Sequence, residues 1–368
     1  MNYPLQSAKI VVIKLKLFYA VVLLGLLLGT PLMANDNNIE SKRALTAAKE
    51  LTIADFWKTV NHASFETEDS ITIAYATNLK RPEKPFIVIV PGRSESYLKY
   101  QELAFDLDNL GYDSVIIDHR GQGLSARLTP NRLQGYIKKF DHYAQDLNQL
   151  LSVVLPEQYP QHNKQAYMLA HSMGGAIALR YLQLYPHNIK ALTLSSPMIA
   201  ISSGGTPKWL AKSLIKTGST LNRWLSDNPW YFLGQNDINK STFEENYLMH
   251  SAPRFERFQA LYQAQPELKL GGVTFTWLEQ AIINSDNLFK DINKLSLPIQ
   301  MLQAGNELIV DNDAQLSFCQ QLYKANKSAC PEGKPVVIDG AYHELYFEVD
   351  QYRDIAIDKT IAWFELHQ

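Results

Sequence analysis

Solid runs of apolar residues alternate along the chain with segments in which apolar positions recur at helical spacing. Such runs predict strands buried on both faces, and the segments between them predict amphipathic helices. The runs lie at 86–90, 114–117, 167–170, 191–194, 299–302 and 336–338. The predicted helices cover 98–110, 140–155, 174–185, 312–324 and 351–366. This alternation indicates an α/β fold, with a mostly parallel sheet covered by helices on both faces.

The alternation is interrupted between residues 199 and 287. This stretch has helix-like patterns without a clear buried strand. It contains four of the six tryptophans of the chain, namely Trp209, Trp224, Trp230 and Trp277. We therefore predict a mainly helical cap at 199–287, inserted between two parts of one core at 61–198 and 288–368. Residues 35–60 form an N-terminal extension ahead of that core.

The first residues of the chain follow the order of a secretory signal. Three lysines precede an uncharged run at 17–28, and small residues follow up to Ala34. The run spans about 12 residues, whereas a transmembrane helix needs roughly 20. Residues 1–34 are therefore either a signal peptide cleaved after Ala34 or a retained anchor. Both alternatives predict an exported protein, which in a bacterium would be periplasmic or membrane-associated, with the inner membrane as the alternative location.

The composition excludes several classes of protein. Apolar residues make up 46% and charged residues 20% of the chain, which is typical of a globular protein. The 35 basic and 37 acidic residues include no long basic run, so the positive footprint of a nucleic-acid-binding protein is missing. Two cysteines exclude a four-thiolate metal site. In an oxidising compartment Cys319 and Cys330 are a candidate disulfide, and two unpaired buried thiols are the alternative.

One segment predicts a catalytic nucleophile. Residues 167–176 run from a predicted strand directly into a predicted helix, with Ser172 at the junction. A serine on such a sharp turn presents its hydroxyl above the sheet, and the backbone N–H of Met173 then faces the oxygen of a bound carbonyl. Ala170 stands where the G-x-S-x-G pattern usually has its first glycine. The alternative role of Ser172 is that of an ordinary helix N-cap.

A nucleophilic serine needs a histidine that takes its proton and an acid that holds the histidine. In hydrolases built on a parallel sheet, the acid and then the histidine follow the serine along the chain. His343 lies in a loop after the last predicted strand and is our candidate base. His119 and His142 precede Ser172, so they fit that order poorly. His171 is expected to pack or hydrogen-bond locally.

Two carboxylates compete for the role of the acid. Glu307 lies on the turn directly beyond the strand at 299–302. Asp311 has the position of a helix N-cap, which is a routine role for aspartate. We favour Glu307 and keep Asp311 as the alternative acid. The oxyanion would be bound by the backbone N–H of Met173 and by that of Arg93, which follows a glycine after the first buried strand.

Two weaker patterns do not amount to a cofactor or metal site. Residues 118–123 carry two glycines after a strand but lack the spacing of a dinucleotide-binding loop. The pairs Asp118-His119 and Asp141-His142 lack the further ligands that complete a metal site. We therefore predict an enzyme that uses no cofactor and no metal.

The motifs together resemble those of bacterial lysophospholipases of the L-two type, which are similar in turn to monoacylglycerol lipases of the α/β-hydrolase superfamily. The resemblance is carried by Ala-His-Ser-Met-Gly-Gly at 170–175 and by the segments 91–97, 117–123 and 340–344, and in the cap by 246–251 and 270–277. It covers the chain from about residue 86 to its end. Two positions depart from the wider family: Glu307 replaces the usual aspartate, and Arg93 replaces a small or apolar residue.

The resemblance implies an α/β-hydrolase fold with a cap, and it places the nucleophile, acid and base on Ser172, Glu307 and His343. It puts the oxyanion donors on Arg93 and Met173. The implied activity is hydrolysis of the carboxylic ester of lysophospholipids, and also of monoacylglycerols, through an acyl-enzyme. Acyl transfer to an alcohol and a catalytically silent, membrane-associated binding protein stay open as alternatives.

A helix that begins near residue 207 carries a basic face. Lys208, Lys212 and Lys216 follow at intervals of four residues, which fits peripheral contact with an anionic membrane. A solvated basic face over a packed apolar stripe is the alternative.

Overall fold

The computed structural model describes residues 45–202, 206–238 and 242–368. The predicted signal or anchor at 1–34 lies outside the described residues, as does the start of the predicted extension at 35–60.

A mixed sheet of eight strands carries the fold. Its strands are β1 (Asn61–Glu66), β2 (Thr72–Asn78), β3 (Phe86–Val90), β4 (Asp113–Ile117), β5 (Ala166–His171), β6 (Ile189–Ser195), β7 (Ile299–Ala304) and β8 (Val336–Ile338). Their order across the sheet is β1-β2-β4-β3-β5-β6-β7-β8. The pairs β1–β2 and β2–β4 are antiparallel, and all other neighbours are parallel. The carboxyl ends of the strands from β3 to β8 therefore meet at one edge of the sheet.

Helices cover the sheet on both faces. They are α1 (Ala47–Trp57), α2 (Gln101–Asn109), α3 (Asp141–Gln149), α4 (Leu155–Gln158), α5 (Met173–Leu184), α6 (Lys208–Leu225), α7 (Ala252–Ala264), α8 (Phe275–Lys290), α9 (Asn312–Ala325) and α10 (Asp350–Leu366). Single 3₁₀ turns lie at Tyr97–Tyr100, Pro266–Leu268, Ile292–Lys294, Pro331–Gly333 and Leu345–Phe347. Among the described residues, no helix combines the length and the apolar character that crossing a bilayer requires.

The predicted fold class is confirmed, and the apolar runs coincide with β3 to β8. The structure adds β1, whose residues carry no apolar run and are mostly exposed. It also buries both faces of β2: Ile73 and Tyr75 belong to one hydrophobic cluster and Ala74 and Ala76 to the other. The second cluster includes Phe56 from α1, so the N-terminal helix covers one side of this strand.

The predicted helix at 140–155 is less regular than its sequence pattern. It consists of α3, a π-helical turn at Leu150–Val154 and the short α4. Pro156 lies in the first turn of α4, and it lacks the N–H that an unbroken helix would use there.

The residues between β6 and β7 contain the helices α6, α7 and α8 and the region in which we predicted the cap. In its described part, this region has isolated β-bridges rather than a strand. Buried ion pairs connect it to the core: Arg254 on α7 contacts Glu102 on α2 at 2.8 Å and Asp350 on α10 at 2.7 Å. The region is therefore held over the carboxyl edge of the sheet, where the predicted site residues lie.

A disulfide joins Cys319 on α9 to Cys330, and both residues are fully buried. The backbone N–H of Cys330 donates to the carbonyl of Ile299 in β7 at 2.6 Å. The bridge thus ties the middle of α9 to the beginning of β7.

Candidate active site

Ser172 lies on the turn between β5 and α5, with φ at 51°. A residue with a side chain is strained in this region of backbone space, and such strain is typical of a nucleophile turn. Strand and helix approach so closely that a Cβ on Gly174 would lie 2.1 Å from the carbonyl oxygen of Val90. A Cβ on Gly175 would lie 2.6 Å from Cβ of Pro197. Both positions therefore require glycine, whereas Ala170 is accommodated within β5.

The structure brings the three predicted side chains together at the carboxyl edge of the sheet. The hydroxyl of Ser172 lies 2.8 Å from Nε2 of His343, and Nδ1 of His343 lies 2.7 Å from Oε2 of Glu307. Because a carboxylate can only accept, Nδ1 of His343 carries the proton and Nε2 presents its lone pair to the hydroxyl of Ser172. All three side chains are buried or nearly so.

The carboxylate of Glu307 is held in place by backbone donors. Its Oε1 accepts hydrogen bonds from the N–H groups of Ile309 at 2.7 Å and Val310 at 3.2 Å. Burial alone would raise the pKa of Glu307, but the hydrogen bond to His343 and these backbone donors lower it overall. Glu307 is therefore ionised at neutral pH, as an acid that orients an imidazole must be.

Asp311, the alternative acid, is not brought to His343. It is the N-cap of α9, where its side chain accepts from the N–H of Ala314 at 3.0 Å. Its other oxygen pairs with Lys208 on α6 at 2.6 Å. The geometry therefore gives Asp311 a capping role and leaves the contact with His343 to Glu307.

Two backbone N–H groups are available for an oxyanion. Within the described residues, no acceptor is bonded to the N–H of Arg93 or to that of Met173. The two turns are adjacent, because a Cβ built on Gly92 would lie 3.3 Å from Cβ of Ser172. The arrangement suits the oxyanion of a tetrahedral intermediate, as the sequence predicts.

A buried carboxylate holds the turn that carries Arg93. Oε2 of Glu95 accepts a 2.5 Å hydrogen bond from the N–H of Gly92 and another of 2.6 Å from the hydroxyl of Tyr100. Lys99 donates to Oε1 of Glu95 and to Oε1 of Glu344, both at 2.7 Å. Burial alone would raise the pKa of Glu95, yet Lys99 above all lowers it to about 2.

Sequence reasoning did not single out Glu95, Lys99 or Glu344. The one available signal was the spacing of four residues between Glu95 and Lys99, which is also common on solvated helices. Glu95, His171 and Glu344 offer ligand atoms that lie within 4.8 Å of one another. The ammonium of Lys99 already lies between the two carboxylates, and burial raises the pKa of Glu344, so this cluster of the described chain does not call for an ion.

The histidines next to the site are neutral. Burial lowers the pKa of His171 to about 3 and that of His119 to about 4. His171 lies 4.9 Å from His343 between ring centres, and its Nδ1 is 3.3 Å from the carbonyl oxygen of Ser195. It therefore packs locally, and it adds no charge beside His343.

An apolar cavity of about 320 Å³ lies between the residues that follow β6 and the cap helices α6 and α8. Its wall includes Met198, whose backbone N–H donates to the carbonyl of Ser172 at 2.9 Å. The other apolar residues around it come mainly from the cap region, and they include Ile201, Leu214, Ile215, Phe232, Val273, Leu278, Ala281 and Ile282. A cavity of this size and lining accepts an apolar chain in preference to a polar group.

The sheet order, the nucleophile turn and the Ser–His–Glu arrangement define a serine hydrolase of the α/β-hydrolase superfamily. Residues 81–350 match the family model Hydrolase_4, described as serine aminopeptidase, S33. Because the match covers most of the chain, the protein belongs to this family, and the lysophospholipase relatives described next show that it is a carboxylic-ester hydrolase.

Known proteins resemble the chain over most of its length. Lysophospholipase L2 of Escherichia coli is 34% identical over 315 residues, which are 86% of this chain and 90% of the relative. A probable lysophospholipase L2 of Haemophilus influenzae is 34% identical over 291 residues, 77% of this chain and 85% of the relative. A soluble variant of the monoglyceride lipase of Saccharomyces cerevisiae has the same fold, with a TM-score of 0.63 at 17% identity, over 84% of this chain and 95% of that one.

Proposed function

We propose that the protein hydrolyses the carboxylic ester of lysophospholipids, and also of monoacylglycerols, through an acyl-enzyme on Ser172. The observation that carries the proposal is the chain of contacts from Ser172 to His343 to Glu307 beside an apolar cavity. The 34% identity to lysophospholipase L2 supports the choice of substrate.

The residues have distinct roles in this reaction. Nε2 of His343 takes the proton of the Ser172 hydroxyl while the oxygen attacks the carbonyl carbon of the ester. The N–H groups of Arg93 and Met173 bind the oxyanion, and ionised Glu307 stabilises the imidazolium. His343 then protonates the departing glycerol oxygen, and the acyl group stays on Ser172. A water molecule deprotonated by His343 releases the fatty acid and restores the serine.

The cavity supplies the affinity for the acyl chain. Each CH₂ group that leaves water contributes about 0.8 kcal/mol, so a single fatty acyl chain gains several kcal/mol in an apolar enclosure. A short soluble ester uses only a fraction of this energy and is expected to be a poor substrate.

The experiment compares the wild-type protein with Ser172→Ala on lysophosphatidylethanolamine, lysophosphatidylcholine, monoolein and a short soluble ester. We expect lysophospholipids to be the preferred substrates, and we expect the variant to lose about 10³-fold or more of the activity. Product analysis separates free fatty acid from transacylated lipid, because water and an alcohol acceptor compete for the same acyl-enzyme. A preference for the short ester, or an active Ser172→Ala protein, would contradict the proposal.

We propose further that the cap region touches the membrane from which the substrate is taken. Helix α6 lines the cavity with Leu214 and Ile215, and it exposes 73% of Trp209 and 80% of Trp224 to solvent. Exposed aromatic and leucine side chains on such a helix suit the membrane interface. The basic face is partly neutralised, because Lys208 pairs with an aspartate of the core and Lys212 with Asp286 on α8. The apolar side chains are thus expected to contribute more than the lysines.

The membrane proposal is tested by sedimentation with vesicles of phosphatidylethanolamine and phosphatidylglycerol. Replacing Trp209 and Trp224 by serine should reduce binding several-fold, and replacing Lys212 by methionine should reduce it less. The order of the two effects would be reversed if the contact were mainly electrostatic.

Export is proposed from residues 1–34, and the buried disulfide is compatible with an oxidising compartment. Cell fractionation and the N-terminal sequence of the mature protein decide between cleavage after Ala34 and a retained anchor.

A further inference from the structure

The guanidinium of Arg93 carries a charge without a counter-ion. Within the described chain, no carboxylate oxygen lies within 4.0 Å of it. It donates to the carbonyl of Gly271 at 2.5 Å and to Oγ of Ser94 at 3.1 Å, and its Cζ lies 5.5 Å from the ring centre of Trp277. Its Nε is buried and has no acceptor within the same residues. A donor of this charged group is therefore left unsatisfied.

Several buried cations of the described chain are neutralised, whereas Arg127 and Arg257 share with Arg93 the lack of a carboxylate oxygen within 4.0 Å. Arg120 pairs with Asp146 at 2.6 Å, and Lys99 lies between two glutamates. Arg254 likewise pairs with a glutamate and an aspartate. Removing a cation from water without a partner is unfavourable, so an unpaired one beside the nucleophile turn is a candidate to bind an anion. Burial lowers the pKa of Arg93 to about 10, and the group is still a cation at neutral pH.

The guanidinium of Arg93 belongs to the same residue as one of the two oxyanion donors, which is the backbone N–H of Arg93. The cap residues that its side chain contacts, Gly271 and Trp277, lie within two positions of Val273 and Leu278 in the cavity wall. Space for the guanidinium depends on Gly135, because a Cβ there would lie 2.5 Å from Nη2. The charge is thus held between the nucleophile turn and the cap residues Gly271 and Trp277.

We propose that the side chain of Arg93 binds the phosphodiester of a lysophospholipid while its backbone N–H binds the ester oxyanion. The inference rests on the proposed function and adds to it the residue that recognises the head group. The path from the backbone nitrogen of arginine to Cζ has as many bonds as the path from the ester carbonyl carbon of a 1-acyl lysophospholipid to phosphorus, so the two have comparable lengths when extended. A planar guanidinium is well suited to two phosphate oxygens. A monoacylglycerol has no such anion.

The experiment compares two substrates with the same acyl chain, oleoyl lysophosphatidylethanolamine and monoolein, in micelles of a neutral detergent. The variants are Arg93→Met, which keeps the backbone N–H, and Arg93→Lys. The lysine keeps the charge but loses the planar group that donates two parallel hydrogen bonds. We expect the ratio of kcat/KM for lysophospholipid to that for monoolein to fall about tenfold or more in Arg93→Met, mainly through KM. Arg93→Lys should lose less.

Arg127→Met is the matched control for a purely structural role. Arg127 also lacks a carboxylate partner among the described residues, and it donates from the core to backbone carbonyls of Gly121 and of the cap residues Glu267 and Lys269. It lies outside the oxyanion turn. Its replacement should lower both activities alike, with the substrate ratio within about threefold of wild type. If Arg93→Met also leaves the substrate ratio within about threefold of wild type, Arg93 only holds the cap in place and the proposal is wrong.

Inhibition by glycerophosphoethanolamine, the deacylated head group, tests the site without lysophospholipid turnover. It should inhibit monoolein hydrolysis by the wild-type protein competitively. Arg93→Met should weaken this inhibition about tenfold or more, and Arg93→Lys should weaken it less. Glycerol serves as the uncharged control. If the wild-type protein fails to hydrolyse lysophospholipid, the proposed substrate class is wrong, whereas this inhibition still decides whether Arg93 binds the anion. Inhibition of equal strength in the wild-type and both variant proteins would overturn the inference.

Discussion

The carboxylate of Glu95 lies 2.5 Å from the backbone nitrogen of Gly92, so a buried acid fixes the turn that presents the second oxyanion donor. The same carboxylate is charged because Lys99 lies beside it. Catalysis by an oxyanion site depends on donors that are already oriented before charge develops. Glu95 is therefore a positioning residue, which acts through the Gly92–Arg93 backbone.

The first prediction is that Glu95→Gln lowers kcat about 10- to 100-fold with a smaller change in KM. The ammonium of Lys99 needs the remaining oxygen, so the amide nitrogen turns toward the N–H of Gly92 and two donors face each other. Steady-state kinetics on monoolein measures the effect. Tyr100→Phe is the control, because it removes one hydrogen bond from the same oxygen of Glu95 and leaves Gly92 in place. Equal losses in both variants would mean that Glu95 supports only the fold.

The second prediction separates the two carboxylates that compete for the acid. Glu307→Gln should lower kcat about 10³-fold, because a neutral amide neither stabilises the imidazolium of His343 nor fixes its tautomer. Asp311→Asn should keep kcat within about twofold, since asparagine also caps a helix and the side chain of Lys208, its ion-pair partner, is 65% exposed. Both variants are isosteric, so the comparison isolates charge. A large loss of kcat in Asp311→Asn alone would reverse the assignment.

The sequence was sufficient to predict the Ser172–His343 pair, because the glycines behind Ser172 and the chain order of the triad are local signals. Glu307 could be favoured over Asp311 because an N-cap position is recognisable in sequence. The acid network behind the oxyanion turn could not be found in this way. Whether Lys99 and Glu344 meet in the interior depends on how segments far apart in the chain pack together, and both are residue types that usually lie at the surface.

In the sheet, too, the sequence pattern did not reveal the features that depend on contacts between distant segments. The apolar runs predicted β3 to β8, because a strand buried on both faces has to be apolar. β1 has no such run, since its residues between Asn61 and Glu66 are mostly polar and exposed. It is defined by pairing with β2 along its whole length, which is a tertiary property. The unpaired charge of Arg93 was equally invisible, because only the fold reveals which charges lack partners.

The third prediction concerns the disulfide between Cys319 and Cys330. The double variant Cys319→Ala/Cys330→Ala should lose about 2–4 kcal/mol of unfolding free energy, because the unfolded chain is no longer cross-linked. The bridge is remote from the Ser172–His343 contact, so kcat at 25 °C should change little. Thermal unfolding with and without reductant measures the effect. Reductant should lower the Tm of the wild-type protein toward that of the variant, and a variant as stable as the wild type would contradict the prediction.

The fourth prediction is a pH dependence of stability that arises from His119. Its Nε2 lies 2.9 Å from the carbonyl oxygen of Pro91, and its Nδ1 is buried without a partner in the described part of the chain. A second proton would therefore be buried on Nδ1 without an acceptor, which agrees with a pKa lowered by burial to about 4. The unfolded chain binds that proton below about pH 6.5, so folding loses stability as the pH falls from 6.5 toward 4.

His119→Gln tests this linkage, because the glutamine amide can donate to the same carbonyl and does not titrate. Between pH 7 and pH 5 the wild-type protein should lose about 2 kcal/mol more unfolding free energy than the variant. Urea unfolding at several pH values, with the disulfide intact, measures the difference. Neutral His171 contributes a similar loss in both proteins, so the comparison isolates the titration of His119. Parallel curves for the two proteins would mean that His119 takes up its proton as readily in the folded as in the unfolded chain, and they would contradict the prediction.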